Sequence, residues 1–184
     1  MTLSAVKHFL TRLPNKQLFV NRCESLRLTF QGNGGGLLSG SLIEKLFCES
    51  FDGVEKYNFG ENDMKICEIP FSFKKITGKK TALAYKWSKN KREEPIVFKS
   101  PMLIFNRKSE KWFTKTPDIL AGIYIISLDH LSNVKISENN KTSSKIDAEE
   151  IYKLLNLSLR DNLFVSFPKE TDEIERFSIK NGFQ

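Results

Sequence analysis

The chain has 184 residues, 40% of them hydrophobic and 28% charged, with a formal net charge of +7. That length suits one well-packed domain better than two, and 15 phenylalanines supply a core that excludes general disorder. The longest apolar run, Ile119 to Leu128, has ten residues against the roughly 20 needed to span a bilayer. Three widely spaced cysteines and two histidines fit neither a disulfide framework nor a zinc site.

In chain order, Ser4 is placed to cap a first helix over Ala5 to Leu13, ended by Pro14, with Gln17 to Leu26 as a second. Lys7 and Arg12 lie inside this amphipathic pattern without a long apolar stretch, so no secretory signal is read and a cytoplasmic location is expected. Gly32 to Gly36 form a flexible loop before a helix from about Leu37 to Phe51, with Leu38, Leu42, Ile43, Leu46 and Phe47 as its buried stripe. Extended segments follow at Val54 to Phe59 and Asp63 to Phe73, then a turn at Thr77-Gly78 and a strand near Thr81 to Trp87. Together they predict a mixed sheet that begins as a meander.

Pro101 predicts that Ile96 to Phe105 is an edge or interrupted strand, and Gly122 to Leu128 reads as a central one. Ser132 to Ser144 reads as a polar connection, after which Asp147 caps a helix carrying Ile151, Leu154, Leu155 and Leu157. Asn162 to Phe167 adds a last strand, and 169–184 a short charged tail. With no repeat or linker, residues 1–184 are expected to form a single domain of mixed α/β (α+β) class, a central mixed sheet flanked by helices.

Charge is distributed unevenly. From Phe71 to Lys115 there are 13 Lys or Arg against Glu93, Glu94 and Glu110, a local excess of ten, so the remaining residues sum to −3. Such a field with interleaved aromatic residues suits a polyanion followed along its phosphates. Lys74, Lys75, Lys79, Lys80, Lys86, Lys89, Lys91, Arg92 and Lys99 are therefore expected to contact DNA, the alternative being a lysine-rich solvated hairpin. Trp87 and Trp112 are read as packing residues. No GxxxxGK[ST] loop and no strand leading into GxGxxG are present, so no nucleotide cofactor is expected.

Between Gly40 and Lys65, Glu44, Asp52 and Asp63 lead into Asp63-Met64-Lys65, the one acid-x-Lys triplet in the chain. On an extended strand Asp63 and Lys65 point to the same face. Carboxylates there would suit Mg²⁺, which takes one or two of them plus waters and substrate phosphate, and a neighbouring ammonium suits phosphodiester hydrolysis. The absence of a Ser-His-Asp or Cys-His pattern is consistent with chemistry that needs no covalent intermediate.

Gly40-Ser41-Leu42-Ile43-Glu44, Asp52 and Asp63-Met64-Lys65, followed by Ile66-Cys67-Glu68-Ile69-Pro70, resemble the PD-(D/E)xK nuclease superfamily, most closely its MutH-like mismatch-repair and restriction endonuclease branch. Asp52 precedes Asp63 by eleven residues, as the branch spacing asks. Phe51 stands where the family has proline, and Asp63 where glutamate is commoner. The resemblance covers about 36–105 and implies a restriction-endonuclease-like core over about 36–130, with 1–30 as N-terminal helices. It implies that Asp52 and Asp63 bind Mg²⁺ with the Met64 carbonyl, that Glu44 is a supporting carboxylate able to serve a second ion, and that Lys65 orients or activates the attacking water. Lys99 loosely resembles a downstream active-site lysine.

The expected function is a Mg²⁺-dependent endonuclease acting on double-stranded DNA, of type II restriction character. No helix-turn-helix, zinc finger or second domain is present to read an extended site. Two routes to specificity follow: a homodimer that reads a short site with its own loops, or a catalytic subunit working with a larger recognition subunit, as in heterodimeric type IIS restriction enzymes. A branched-DNA or repair nuclease on the same fold and a non-catalytic nucleic-acid-binding protein are the competing expectations.

Overall fold

A strand with apolar side chains on both faces must be covered on both, and β5 (Met102–Asn106) and β6 (Gly122–Ile126) are buried at every position. The computed structural model describes residues 2–12, 16, 18–19, 21–22, 40–59, 62–76, 83–86, 97–106, 109–140 and 143–167, with 40–41, 58–59, 83–86, 138–140 and 143 described by backbone alone. Within them, β1 (Val54–Phe59), β2 (Asn62–Ile66) and β3 (Ile69–Ile76) form an antiparallel meander. β3 then pairs parallel with β5, and β6 and β9 (Phe164–Ser166) follow antiparallel, giving the order β1-β2-β3-β5-β6-β9. The fold is the expected α+β arrangement, a mixed sheet with helices on its faces.

Strand alternation divides the core in two. Phe71, Phe73, Leu103, Phe105, Ile123 and Ile125 meet α1 (Leu3–Arg12) and α2 (Gly40–Ser50), through Val6 and Leu10 from the first and Ile43, Leu46 and Phe47 from the second. Phenylalanine dominates this side. Phe19 lies 5.3 Å from Phe47 and 5.2 Å from Phe105, ring centre to ring centre, and Phe47 lies 4.6 Å from Phe51, the edge-on and tilted geometries that aromatic quadrupoles favour. On the other face Met102, Ile104, Tyr124 and Ile126 meet α4 (Ala148–Arg160) through Ile151, Leu154 and Leu155.

A second sheet of β4 (Leu83–Lys86), β8 (Ser143–Ile146) and β7 (Ser137–Asn140) joins the same core through Ile146. α3 (Leu128–Ser132) starts at Ser127, whose hydroxyl accepts the His130 N–H at 3.1 Å. The Ser127 N–H donates to His130 Nδ1, so the ring's proton sits on Nε2 and is given to Asp161 at 2.6 Å. His130 thereby ties α3 to the end of α4, and its proton, with Arg160 nearby, holds the Asp161 carboxyl below its usual range.

Several expectations change. Pro101 does not mark an edge: its carbonyl accepts the Ser72 N–H at 3.1 Å, and the strand begins one residue later between β3 and β6, at the centre of the sheet. Asp63 to Phe73 is not one strand but two, folded at Cys67-Glu68, where both residues take positive φ (51° and 66°). That is the type I′ geometry, usually reserved for Asn-Gly, which is why the composition gave no turn signal. The polar stretch 132–144 contains β7 and the start of β8. Asp147 stands at the N-cap of α4 without capping it, its carboxylate accepting instead from Ser137 at 2.7 Å and pairing with Lys145 at 3.2 Å.

The first helix runs Leu3–Arg12, and α2 buries the expected stripe, Leu38 of which lies outside the described residues. Of the expected helix 17–26, residues 18, 19, 21 and 22 are described and helical; the glycine loop, Thr77-Gly78 and the tail from 169 lie outside the described residues. Arg22 donates to the Glu49 carbonyl at 3.4 Å and to Ser50 Oγ at 3.2 Å, supplying a cation and a donor where α2 presents unpaired carbonyls. Gly122, at φ 152°, admits β9: a Cβ there would lie 2.2 Å from the Val165 carbonyl oxygen.

Positive φ at two residues with side chains stores strain that Asn-Gly does not feel. The double substitution Cys67→Asn, Glu68→Gly is expected to stabilise the protein by about 1–2 kcal/mol, read as a higher urea midpoint at unchanged slope. A lower midpoint counts against this turn geometry.

Candidate active site: a carboxylate pair where β2 leaves β3

In an antiparallel pair each backbone N–H on the shared edge needs an acceptor. The β2–β3 register runs Ile66↔Ile69, Lys65↔Pro70 and Met64↔Phe71 and stops, whereas β3 continues to Ile76. The next donor on that edge, Phe73 N–H, is taken by the Asp63 side chain: Oδ2 accepts it at 2.7 Å, with Ser72 Oγ at 3.4 Å. The carboxylate thus stands in for the ladder partner that β3 has lost. A side chain held by a backbone donor cannot swing freely, so Asp63 is fixed at the point where β2 and β3 separate.

Two further groups converge on it. Lys74 Nζ lies 3.8 Å from Asp63 Oδ2, both side chains being about one quarter exposed. Glu44, half-buried on α2, shares a hydrogen bond with Asp63. Burial, and then the Asp63 charge and that hydrogen bond, push the Glu44 carboxyl up to about 7 from an ordinary 4.5, so near neutrality Glu44 is only partly ionised. One turn further along α2, burial and the Glu44 charge push the Cys48 thiol up to about 11, leaving it un-ionised at neutral pH and unsuited to nucleophilic work.

The other expected site residues fall elsewhere. Asp52 is exposed in the turn between α2 and β1, and no hydrogen bond or ion pair joins it to Glu44 or Asp63. Met64, of which the carbonyl was the expected ligand, lies with its backbone in register with Lys56 on one side and Phe71 on the other, and its side chain is wholly buried in the core. Lys65 is paired with Glu68 at 2.5 Å, across the hairpin turn, and that partner raises its affinity for its proton. The expected gathering of three carboxylates with Lys65 is therefore replaced by two carboxylates with Lys74 and Ser72. Among the described residues, no group of three or more His, Cys, Asp or Glu side chains gathers to hold a metal ion.

A pair of carboxylates still meets what Mg²⁺ asks of protein: hard oxygen donors, one or two in number, with the rest of the octahedron left to water and substrate. Two carboxyls whose mutual repulsion helps raise the Glu44 pKa are also a pair that a divalent cation would relieve of repulsion. Glu44 and Asp63 fit the ion as a minimal set. Asp52 does not join them.

Of the expected DNA-contacting residues, Lys74 and Lys75 are half-buried on β3 and Lys99 is exposed ahead of β5. Lys86 lies on β4, described by backbone alone, and Lys79, Lys80, Lys89, Lys91 and Arg92 lie outside the described residues. Trp112 is buried in the core, as a packing residue should be. No helix among the described residues is long and apolar enough to cross a membrane. No family model, curated protein or solved structure matches this chain.

Because folding raises the Glu44 pKa, the folded state holds that proton more tightly than the unfolded chain does. Stability is then greatest below about 4.5 for this group and falls as pH rises toward 7. Glu44→Gln removes this slope. In chelator at pH 8 it is expected to raise stability by about 1–2 kcal/mol after solvent screening at this half-exposed pair, with little effect at pH 5. Thermal unfolding of both proteins at the two pH values decides it, and equal shifts at both would count against the raised Glu44 pKa.

Proposed function

We propose that this chain is a Mg²⁺-dependent endonuclease acting on double-stranded DNA. The observation that supports the reading best is the Glu44–Asp63 pair, held beside a lysine at the point where two strands of the central sheet part. Glu44 and Asp63 would hold the ion; when bound, it supplies Lewis-acid charge at a phosphate oxygen. Asp63, fixed by the Phe73 N–H, sets where the phosphate is received. A cation from a nearby lysine offsets the negative charge that builds on phosphorus as water attacks in line and the 3′-oxygen departs. Lysines of the basic window would follow the backbone on either side of the cut.

Little of the chain remains for reading sequence, so the reading includes a larger recognition subunit, with a homodimer as the other arrangement. The exposed placement of Asp52 outside the pair's contacts favours one second reading, a non-catalytic nucleic-acid-binding protein whose carboxylates serve only to secure the sheet.

Plasmid cleavage in Mg²⁺, alone and with the product of the adjacent gene, separates these readings. Asp63→Ala and Glu44→Ala are expected to lower cleavage at least 100-fold while leaving salt-dependent DNA binding within about threefold, and Asp52→Ala is expected to be milder. Undiminished cutting by Asp63→Ala sinks the nuclease assignment. DNA binding with no Mg²⁺-dependent cutting in either mixture supports the binding-protein reading.

A further inference from the structure

The geometry points to Lys74, not Lys65, as the lysine that faces the phosphate at the Glu44–Asp63 pair; the inference rests on the nuclease reading of that site. Both lysines belong to the same face of the sheet, since Lys65 is in register with Pro70 and alternation puts residues 70, 72 and 74 of β3 together. They lie on opposite sides of Asp63 along that face. Lys65 is next to the hairpin turn, and its ammonium is engaged by Glu68 at 2.5 Å. Lys74 is on the stretch of β3 that outruns β2, and its ammonium lies 3.8 Å from Asp63 Oδ2.

Ser72, buried on the same strand two residues before Lys74, donates to the same carboxylate oxygen. β3 therefore supplies the backbone donor, the hydroxyl and the cation of the site from three consecutive residues, Ser72-Phe73-Lys74. An ammonium 3.8 Å from a carboxylate that would hold the ion is placed to meet a phosphate that the ion receives, whereas one tied to the turn is not.

The test uses the full chain and its Lys74→Ala, Lys74→Gln, Lys65→Ala and Asp63→Ala variants, each first checked for a native circular dichroism spectrum and cooperative unfolding. Mn²⁺ titration by calorimetry gives a readout independent of cleavage. Removing a positive charge close to the ligands should tighten Mn²⁺ about fivefold or more in both Lys74 variants, and leave Lys65→Ala within about twofold of the wild type. In Mg²⁺, plasmid cleavage should fall at least 100-fold in the Lys74 variants and less than about threefold in Lys65→Ala. Mn²⁺ affinity that responds to Lys65→Ala and not to the Lys74 variants, or cleavage lost in Lys65→Ala and kept in both Lys74 variants, overturns the assignment. A Lys74-dependent Mn²⁺ site without Asp63-dependent cleavage upholds this placement of Lys74 while overturning the nuclease reading, and no Mn²⁺ uptake by the wild type overturns both.

Discussion

One hydrogen bond, from the Phe73 N–H to the Asp63 carboxylate at 2.7 Å, organises the candidate site. A sheet edge where one strand stops and its neighbour continues leaves donors with no acceptor, and burying them unpaired would cost about 1–3 kcal/mol each. A carboxylate supplied by the first residue beyond the ladder meets that need and, in doing so, is immobilised where two strands diverge. Once Asp63 is fixed there, α2 brings Glu44 against it and β3 brings Lys74. The charged cluster is thus anchored through backbone geometry, not assembled by surface ion pairing, which contributes little on its own.

The arrangement also shows why the two faces of the sheet have different characters. The face under α1 and α2 is filled by phenylalanine rings, whose large areas close the core around residues from distant parts of the chain. The face under α4 is filled mainly by aliphatic side chains and carries the small second sheet. Asp63 lies at the boundary, so groups from both sides reach it: Glu44 from the helix on the aromatic face and Lys74 from the face opposite Phe71 and Phe73.

Much of this was legible in the residues. The periodicity of Ile43, Leu46 and Phe47 gave α2, the apolar run after Gly122 gave β6, and Ile151, Leu154 and Leu155 gave α4. Glu44 and Asp63 stood out as chemistry-bearing carboxylates and do meet. The lysine beside them was not legible, because it depends on a turn whose residues, Cys67 and Glu68, carry no turn signal. Read as one strand, Asp63 to Phe73 puts Lys65 near Asp63 and Lys74 far beyond it; folded at the turn, Ser72 comes opposite Asp63 and Lys74 follows. The central position of β5 was hidden for a related reason. Pro101 lacks only a donor, and its carbonyl serves the ladder from just outside the strand. Asp147 was misread because a nearby hairpin competes successfully for its oxygens.

The parallel pairing of β3 with β5 runs without interruption from Ser72↔Met102 to Ile76↔Asn106, while β4, which lies between them in the chain, pairs among the described residues with β8 alone. The central sheet therefore closes as though the intervening residues 77–101 were a single long connector. Loop-closure entropy grows only as the logarithm of length, so changes of length within that connector, ahead of the Pro101 carbonyl that Ser72 uses, would leave the register that holds Asp63 unaltered. Two proteins sharing this sheet and this carboxylate pair would then differ most in residues 77–101, where seven of the basic window's 13 Lys and Arg reside, and a lineage could retune what the molecule binds while its interior stays unchanged.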